Sequence, residues 1–429
     1  MKLKTLSLLL LGTAFALPLQ AQTTKEETLS DLNRTGGVYY AYPVPDKALT
    51  PAPKGYEPVY VSHFGRHGSR YLISDNDVAW VARLMRQADE AGALTPYGKE
   101  ILARLDTLMV ETDGRSGDLS PLGVRQHKGI AKRMADSYPQ IFGDKDSKIT
   151  ARSTLVPRCI LSMAAFCEAL KEFNPSLDIN RESSDRYVRY LNYHSPDHGQ
   201  YTTGGKWKTA YENFKREHTN PDRLVASLFS DPEFVKTYVD PAGLMWGFYW
   251  IASDMQNVET QVDFHDLFTP DELFDLWQVF NYIFYVNDGA FAGNGTYVTD
   301  NALPQLANII ESADAALSSG HRGADLRFAH DGNLIPLAAT LHLKDCDLVE
   351  ADPENFYKAF SDWKIAPMAG NIQIVFFRNK KKPSDILVKF LHNERETSVP
   401  VQTDKYPYYR WEDVKAYYLP MLDRMKKDK

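Results

Sequence analysis

Cysteine is scarce, with three residues among 429: Cys159, Cys167 and Cys346. An odd count leaves at least one thiol unpaired. Cys159 and Cys167 lie eight residues apart in a segment that reads as helix, about 12 Å of rise, beyond the ~7 Å Cα separation that a disulfide bridges. A disulfide framework and a Cys-rich zinc site are both excluded as organising features. Positive charge is also in deficit. Lys and Arg total 49 against 56 Asp and Glu, a formal charge of -7, which argues against nucleic acid or a polybasic membrane surface as partner. Long apolar runs are missing after the first residues, so no integral membrane segment is expected. No internal repeat or low-complexity tract is present.

The remaining composition is that of a globular protein, 43% hydrophobic and 24% charged, long enough for two or three domains. Residues 1–21 read as a cleaved export signal: Lys2 and Lys4, an apolar stretch from Leu6 to Leu17, Pro18, and the small residue Ala21. Its removal takes away two lysines and no acid, moving the formal charge from -7 to -9. The expected location is outside the cytoplasm, in the periplasm, at the cell surface or in the medium.

Residues 22–58 read as an extended, Pro-rich lead-in containing Gly36-Gly37. Val59 to His63 then reads as a strand, followed by the loop Gly65-Arg66-His67-Gly68-Ser69-Arg70-Tyr71. Apolar residues at three- and four-residue spacing predict helices over Asp75–Ala91, Pro96–Val110 and Pro121–Ser137, the last with Ser120 as N-cap. Lys148 to Ala151 is a second strand ending at Arg152, and Thr154–Glu172 a helix. Aromatic-rich helical texture fills 187–301, and at helical spacing those aromatics are expected to be packed core. Ala302–Leu317 reads as helix, Ala324–Ala329 as a strand running into His330-Asp331-Gly332, and Leu334–Leu341 as helix. Ile372–Arg378 and Ile386–Asn393 form a hairpin.

This alternation predicts an α/β fold: a mainly parallel sheet sandwiched by helices, formed by 22–186 and 302–429, with an inserted α-helical cap at 187–301. Ligands in such folds bind beyond the carboxyl ends of the strands. Three strand ends supply Arg66, His67, Arg70, Arg152, His330 and Asp331. Planar guanidinium forks suit phosphate or carboxylate oxygens. For a phosphoryl group, a neutral His67 could attack phosphorus while Arg66, Arg70, Arg152 and His330 hold the equatorial oxygens, and Asp331 could protonate the leaving group and then activate water. That scheme needs a protonated Asp331 and predicts an acidic pH optimum. The basic cap segment with Lys206 and Lys208 is a candidate contact for further phosphates, or a solvated helix face. His63 is four residues from His67, but on strand and loop that spacing has no metal-binding meaning, and the remaining histidines lack ligand partners at zinc spacing; no metal or other cofactor is expected.

The loop Arg66-His67-Gly68-Ser69-Arg70, the segment Leu119 to Gln126, the segment Arg152-Ser153-Thr154 through Arg158 to Ser162 and Phe166, and the pair His330-Asp331 together resemble the histidine acid phosphatase branch of the histidine phosphatase superfamily, nearest its phytase and inositol polyphosphate phosphatase groups. The resemblance implies an α/β core with a helical cap, metal-free hydrolysis through a phosphohistidine at His67, a proton donor at Asp331, and a small anionic phosphorylated substrate such as phytate. Two positions depart from the pattern. Leu72 stands where the family loop commonly has proline, and His330-Asp331-Gly332 replaces the His-Ala-Glu of mammalian-type inositol polyphosphate phosphatases. Two other readings stay open: a broad-specificity acid phosphatase with the same chemistry, and a non-catalytic exported phosphate or polyanion binder.

Overall fold

The computed structural model describes residues 21–74 and 76–426. Nearly all of the expected export signal lies outside them. Eight strands form one mixed sheet: β1 (Tyr56–Arg66), β2 (Lys148–Ser153), β3 (Asp178–Ser183), β4 (Gly323–Ala329), β5 (Asn371–Asn379), β6 (Ile386–His392), β7 (Arg395–Thr397) and β8 (Tyr408–Arg410). The order is β3-β2-β4-β1-β5-β6-β7, with β8 also on β6. The strands β3, β2, β4 and β1 are parallel, whereas β5 joins β1 antiparallel and opens an antiparallel half. Sequence neighbours β1 and β2 are therefore separated by β4, which sets the end of β4 beside the end of β1, with Ala329 opposite Arg66.

Alternation along the strands divides the apolar side chains between two layers. Tyr60, Phe64, Ile374, Phe376, Val388 and Phe390 enter one core. Val61, Val375, Phe377, Leu387 and Leu391 enter the other, against the helices Pro121–Ser137 and Pro157–Phe173. The first core runs without a break into the helices between β3 and β4, where Phe248, Tyr249 and Tyr282 are buried. Trp277 is buried in a small adjoining cluster. The aromatic wealth of this segment is packing, as its spacing predicts. No strand occurs between 187 and 301, apart from an isolated bridge at Phe229. Among the described residues no helix is long and apolar enough to cross a membrane. All three cysteines are buried and free.

Three elements differ from expectation. β3 is an edge strand carrying Asp178, Arg181 and Glu182, and charge on an edge discourages further strand pairing while hiding the strand's hydrophobic signature. The helix expected from Ala302 begins at Tyr297 and runs to Ser319 with Pro304 inside it. The lead-in is not wholly extended: Lys25–Leu29 is helical and Leu32–Tyr39 is a 3₁₀ segment broken at Gly37.

Beneath the loop after β1, the rings of His63 and His127 lie among Phe166 and Phe328. Burial pushes both imidazoles down to about 3. The unfolded chain takes up a proton at each near pH 6.5 while the folded one does not, so their stabilising contribution is intact above pH 6.5 and is lost as pH falls towards 3. Each site should cost about 1.4 kcal/mol per pH unit in that window. His127→Phe should flatten the fall of Tm between pH 6.5 and pH 4 by about one proton's worth; an unchanged slope in thermal unfolding would contradict this.

Candidate active site

The site is assembled where β1 and β4 end side by side. His67 donates its backbone N–H to Ala329 O (3.0 Å) and accepts from Ala369 N (2.8 Å), while Arg66 N reaches Gly370 O (2.8 Å). The loop is held tightly on its other side. A Cβ on Gly68 would stand 2.6 Å from Gly123 O, and one on Gly123 would stand 2.3 Å from Ser69 O; only glycines permit this approach. Ser69 N donates to Gln126 Oε1 (2.8 Å), Gly68 N to Ser162 Oγ (3.1 Å) and Ser120 N to Ser69 O (2.9 Å). The Leu119–Gln126 segment thus serves as a cradle for the Arg66–Arg70 loop. Leu72 N–H is among the groups that act against burial on the Asp254 carboxyl, and a proline there would lack it.

Arg66 has no exposed side-chain surface, and its Nη2 pairs with Asp331 Oδ2 at 2.8 Å. Its Nη1 donates to Ala366 O (2.7 Å) and to Val38 O. Val38 is delivered by the turn at Gly37, whose φ is 58° and whose absent Cβ would fall 2.3 Å from Asp362 Oδ2. The next residue, Tyr39, receives a hydrogen bond on its hydroxyl from Arg70 Nη2 (3.3 Å), and its ring faces that guanidinium at 4.8 Å. The segment that reads as a loose lead-in therefore supplies part of the arginine frame.

His67 is 2% exposed. Its Nδ1 lies 2.9 Å from Gly68 O; a carbonyl only accepts, so Nδ1 carries the hydrogen and Nε2 carries the lone pair. Burial, then the charges of Arg66, Arg70 and Arg158, push the imidazole well below its ordinary range. His330 faces it edge-on, centroids 5.7 Å apart, with Nε2 3.2 Å from Thr154 Oγ1; burial lowers it to about 4. Asp331 opens the helix Asp331–Thr340, and its Oδ1 accepts from Gly332 N (2.8 Å). Burial pushes that carboxyl up, but Arg66, His330, the Gly332 N–H and Arg70 outweigh it and the net direction is down.

Arg66, His67, Arg70, His330 and Asp331 are thus brought together, whereas Arg152 is not among them. Its Nε pairs with Glu182 (2.9 Å), Nη1 reaches Tyr190 OH (3.4 Å), and the guanidinium lies 4.5 Å from the Tyr187 ring. Strand alternation explains the outcome, since the flanking Ala151 and Ser153 are buried on the opposite face. The third arginine acting on His67 is Arg158. Among the described residues neither it nor Arg70 has a carboxylate within ion-pair distance, and the Nε atoms of both are buried without a hydrogen-bond partner. Unpaired buried cationic donors around one point favour an anion there. The spacing Arg158, Ser162, Phe166, four residues apart on one helix face, was the signal for it. Lys206 is exposed, and Lys208 donates to Thr203 O beside Trp207; neither contacts the cluster.

Arg158→Ala should raise the Kd for inorganic phosphate by about tenfold or more, the loss expected for one charge-assisted donor. Arg152→Ala should change it by less than about threefold, because its guanidinium is already paired with Glu182. Calorimetric titration of both variants checks this, and the reverse ranking would restore Arg152 to the site.

No protein-family model matches the sequence, and no curated protein sequence matches it. Solved structures do. A Bifidobacterium longum multiple inositol polyphosphate phosphatase, in complex with inositol hexasulfate, superposes with a TM-score of 0.75 at 18% identity, covering 89% of this chain and 97% of that one. A phytase from D. castellii gives a TM-score of 0.67 at 15% identity, over 95% and 88%. The Hafnia alvei phytase in complex with myo-inositol hexakis sulphate gives 0.52 at 13% identity, over 86% and 98%. With its mixed sheet, flanking helices and loop cluster at the β1 and β4 ends, the chain has the histidine acid phosphatase fold that these phytases and inositol polyphosphate phosphatases share.

Proposed function

We propose that the protein is an exported, metal-independent phosphomonoesterase that hydrolyses inositol polyphosphates such as phytate through a phosphohistidine at His67. The observation that carries the reading is a neutral imidazole with a free Nε2 lone pair, fixed by its Nδ1 hydrogen bond and surrounded by Arg66, Arg70 and Arg158. A binder of phosphate would need the cations but not a tautomer-locked nucleophile. Support for the substrate class comes from the fold neighbours crystallised with six-fold sulfated inositols, which mimic a highly anionic ring.

In this scheme Nε2 attacks phosphorus, the P–O ester bond breaks, and the leaving oxygen takes a proton from Asp331. The arginines stabilise the charge gathering on the equatorial oxygens. Asp331, now a carboxylate, accepts a proton from water as that water attacks phosphorus. The P–N bond breaks, its electron pair returns to Nε2, and phosphate leaves. Nothing ties Lys206 and Lys208 to the reacting centre, and their roles as contacts for other phosphates rest on the substrate reaching across to the cap.

His67→Ala should lower hydrolysis of inositol hexakisphosphate by at least about 10³-fold; near-wild-type phosphate release would overturn the mechanism. Because burial and the arginines hold His67 neutral well below its ordinary range, and burial lowers His330 to about 4, kcat/KM should show no acid limb at ordinary histidine values. A pH–rate profile falling with an apparent pKa near 6.5 would contradict the placement of these rings. Charge reversal at Lys206 and Lys208 should weaken turnover of inositol hexakisphosphate more than that of p-nitrophenyl phosphate; equal effects would remove the segment as a substrate contact.

A further inference from the structure

The helix Pro270–Asp288 crosses the cap and ends at the active site, and its last residue is a carboxylic acid. A Cβ placed on Gly332 would have Asp288 Oδ1 as its neighbour at 3.7 Å, so this carboxyl faces the first turn of the helix that begins at Asp331. Three features of the position oppose a negative charge there. The end of a 19-residue helix carries a partial negative charge of its own, and no basic residue stands in its last turn. Among the described residues no Lys, Arg or His lies within ion-pair distance of Asp288, although Asp331 has Arg66 at 2.8 Å. The titratable groups facing the end of this helix are Asp331, with His330 before it, from the facing helix start, and His198 and His194 from the segment before it. His198 Nε2 lies 2.9 Å from Asn287 O and stacks with His194, which in turn bears on His330. Of these, Asp331 is the group whose charge acts on Asp288; with burial as the larger cause, it raises that carboxyl well above the usual range. Of two neighbouring carboxyls, one clamped by an arginine and one with no cation in ion-pair reach, the unclamped one is the easier to protonate.

This bears on a difficulty in the reaction. Asp331 is the acid of the proposed mechanism, yet Arg66 holds it ionised, and a carboxylate has no proton to give. We propose that Asp288 is a positioning residue for the proton, storing on its carboxyl the proton that Asp331 delivers to the leaving oxygen and taking it back when Asp331 deprotonates the attacking water. The inference rests on the reading of Asp331 as general acid. A phosphate ester entering the arginine cluster brings negative charge that competes with Asp331 for Arg66. The proton then passes from Asp288 to Asp331, leaving Asp288 as carboxylate, and from Asp331 to the ester oxygen as the P–O bond breaks. In the second step the proton from water returns through Asp331 to Asp288, so each turnover leaves the pair as it began.

The test is the pH dependence of kcat/KM for Asp288→Asn and Asp288→Glu on two substrates. From inositol hexakisphosphate the leaving group is an inositol alkoxide that needs a proton, whereas p-nitrophenolate needs little help. With the inositol substrate, Asp288→Asn should move the alkaline limb to lower pH by at least about one unit, with a loss of about tenfold or more at pH 7 that shrinks towards pH 4.5. The loss on p-nitrophenyl phosphate should be several-fold smaller, and Asp288→Glu should recover much of the wild-type profile. An unchanged profile would overturn the proposal, as would a loss uniform across pH and across both substrates, which is the mark of a structural defect. Should Asp288→Asn fail to fold, Asp288→Ser is read in the same way. Failure of the functional reading is separate: it would appear as absent inositol hexakisphosphate hydrolysis by the wild type, or as hydrolysis retained by His67→Ala.

Discussion

A guanidinium wholly removed from water depends on protein for its partners, and Arg66 is such a group, held through Nη1 and Nη2 while its Nε has no hydrogen-bond partner among the described residues. It draws Asp331 from the end of β4, Val38 O from the N-terminal 3₁₀ segment, and Ala366 O from the segment before β5. Four distant parts of the chain are thereby committed to one point. Burying the ion pair carries a desolvation cost, and the two carbonyls on Nη1 with the Gly332 N–H on Asp331 offset part of it, while Arg66 Nε is left without a partner. The consequences reach each neighbour. Arg66 keeps Asp331 ionised, helps keep His67 neutral, and leaves the less tightly paired Arg70 and Arg158 to meet an anion.

The electrostatic design separates two tasks. Cations that already have carboxylate partners build the frame, as Arg152 does with Glu182 and Arg66 with Asp331. Cations without such partners remain for the ligand. Below them the neutral, buried His63 and His127 add no charge of their own beneath the arginines, at the cost of stability in acid. The arginine cluster thus stands on a base that weakens in stronger acid.

Much of this was legible in the sequence, for identifiable reasons. β1 and β4 run straight into chemically loaded loops, so their ends announced the cluster of Arg66, His67, Arg70, His330 and Asp331. The helix Pro121–Ser137 was marked by Ser120 and Pro121. The charged edge strand β3 escaped, because a strand with little burial has little hydrophobic pattern. Arg152 was favoured over Arg158 because it stands directly at a strand end, whereas the choice turns on which face of the strand it occupies and on its partner Glu182, neither of which spacing reveals. Gly37 lay in a segment that reads as an extended lead-in, and its function lies in a close approach to Asp362, more than 300 positions away. Asp288 was silent for the same reason: only folding sets the end of one helix against the beginning of another.

The central claim is that phosphorus is transferred to Nε2 of His67, and the most direct measurement is to catch it there. Asp331→Asn removes the base for the second step, and p-nitrophenyl phosphate, whose leaving group needs no acid, still allows the first. Mixed with that ester carrying labelled phosphorus and quenched in alkali, this variant should retain close to one phosphoryl group per chain, in an acid-labile bond mapping to His67. Absence of covalent label, or label that persists when His67 is also replaced by alanine, would contradict the account.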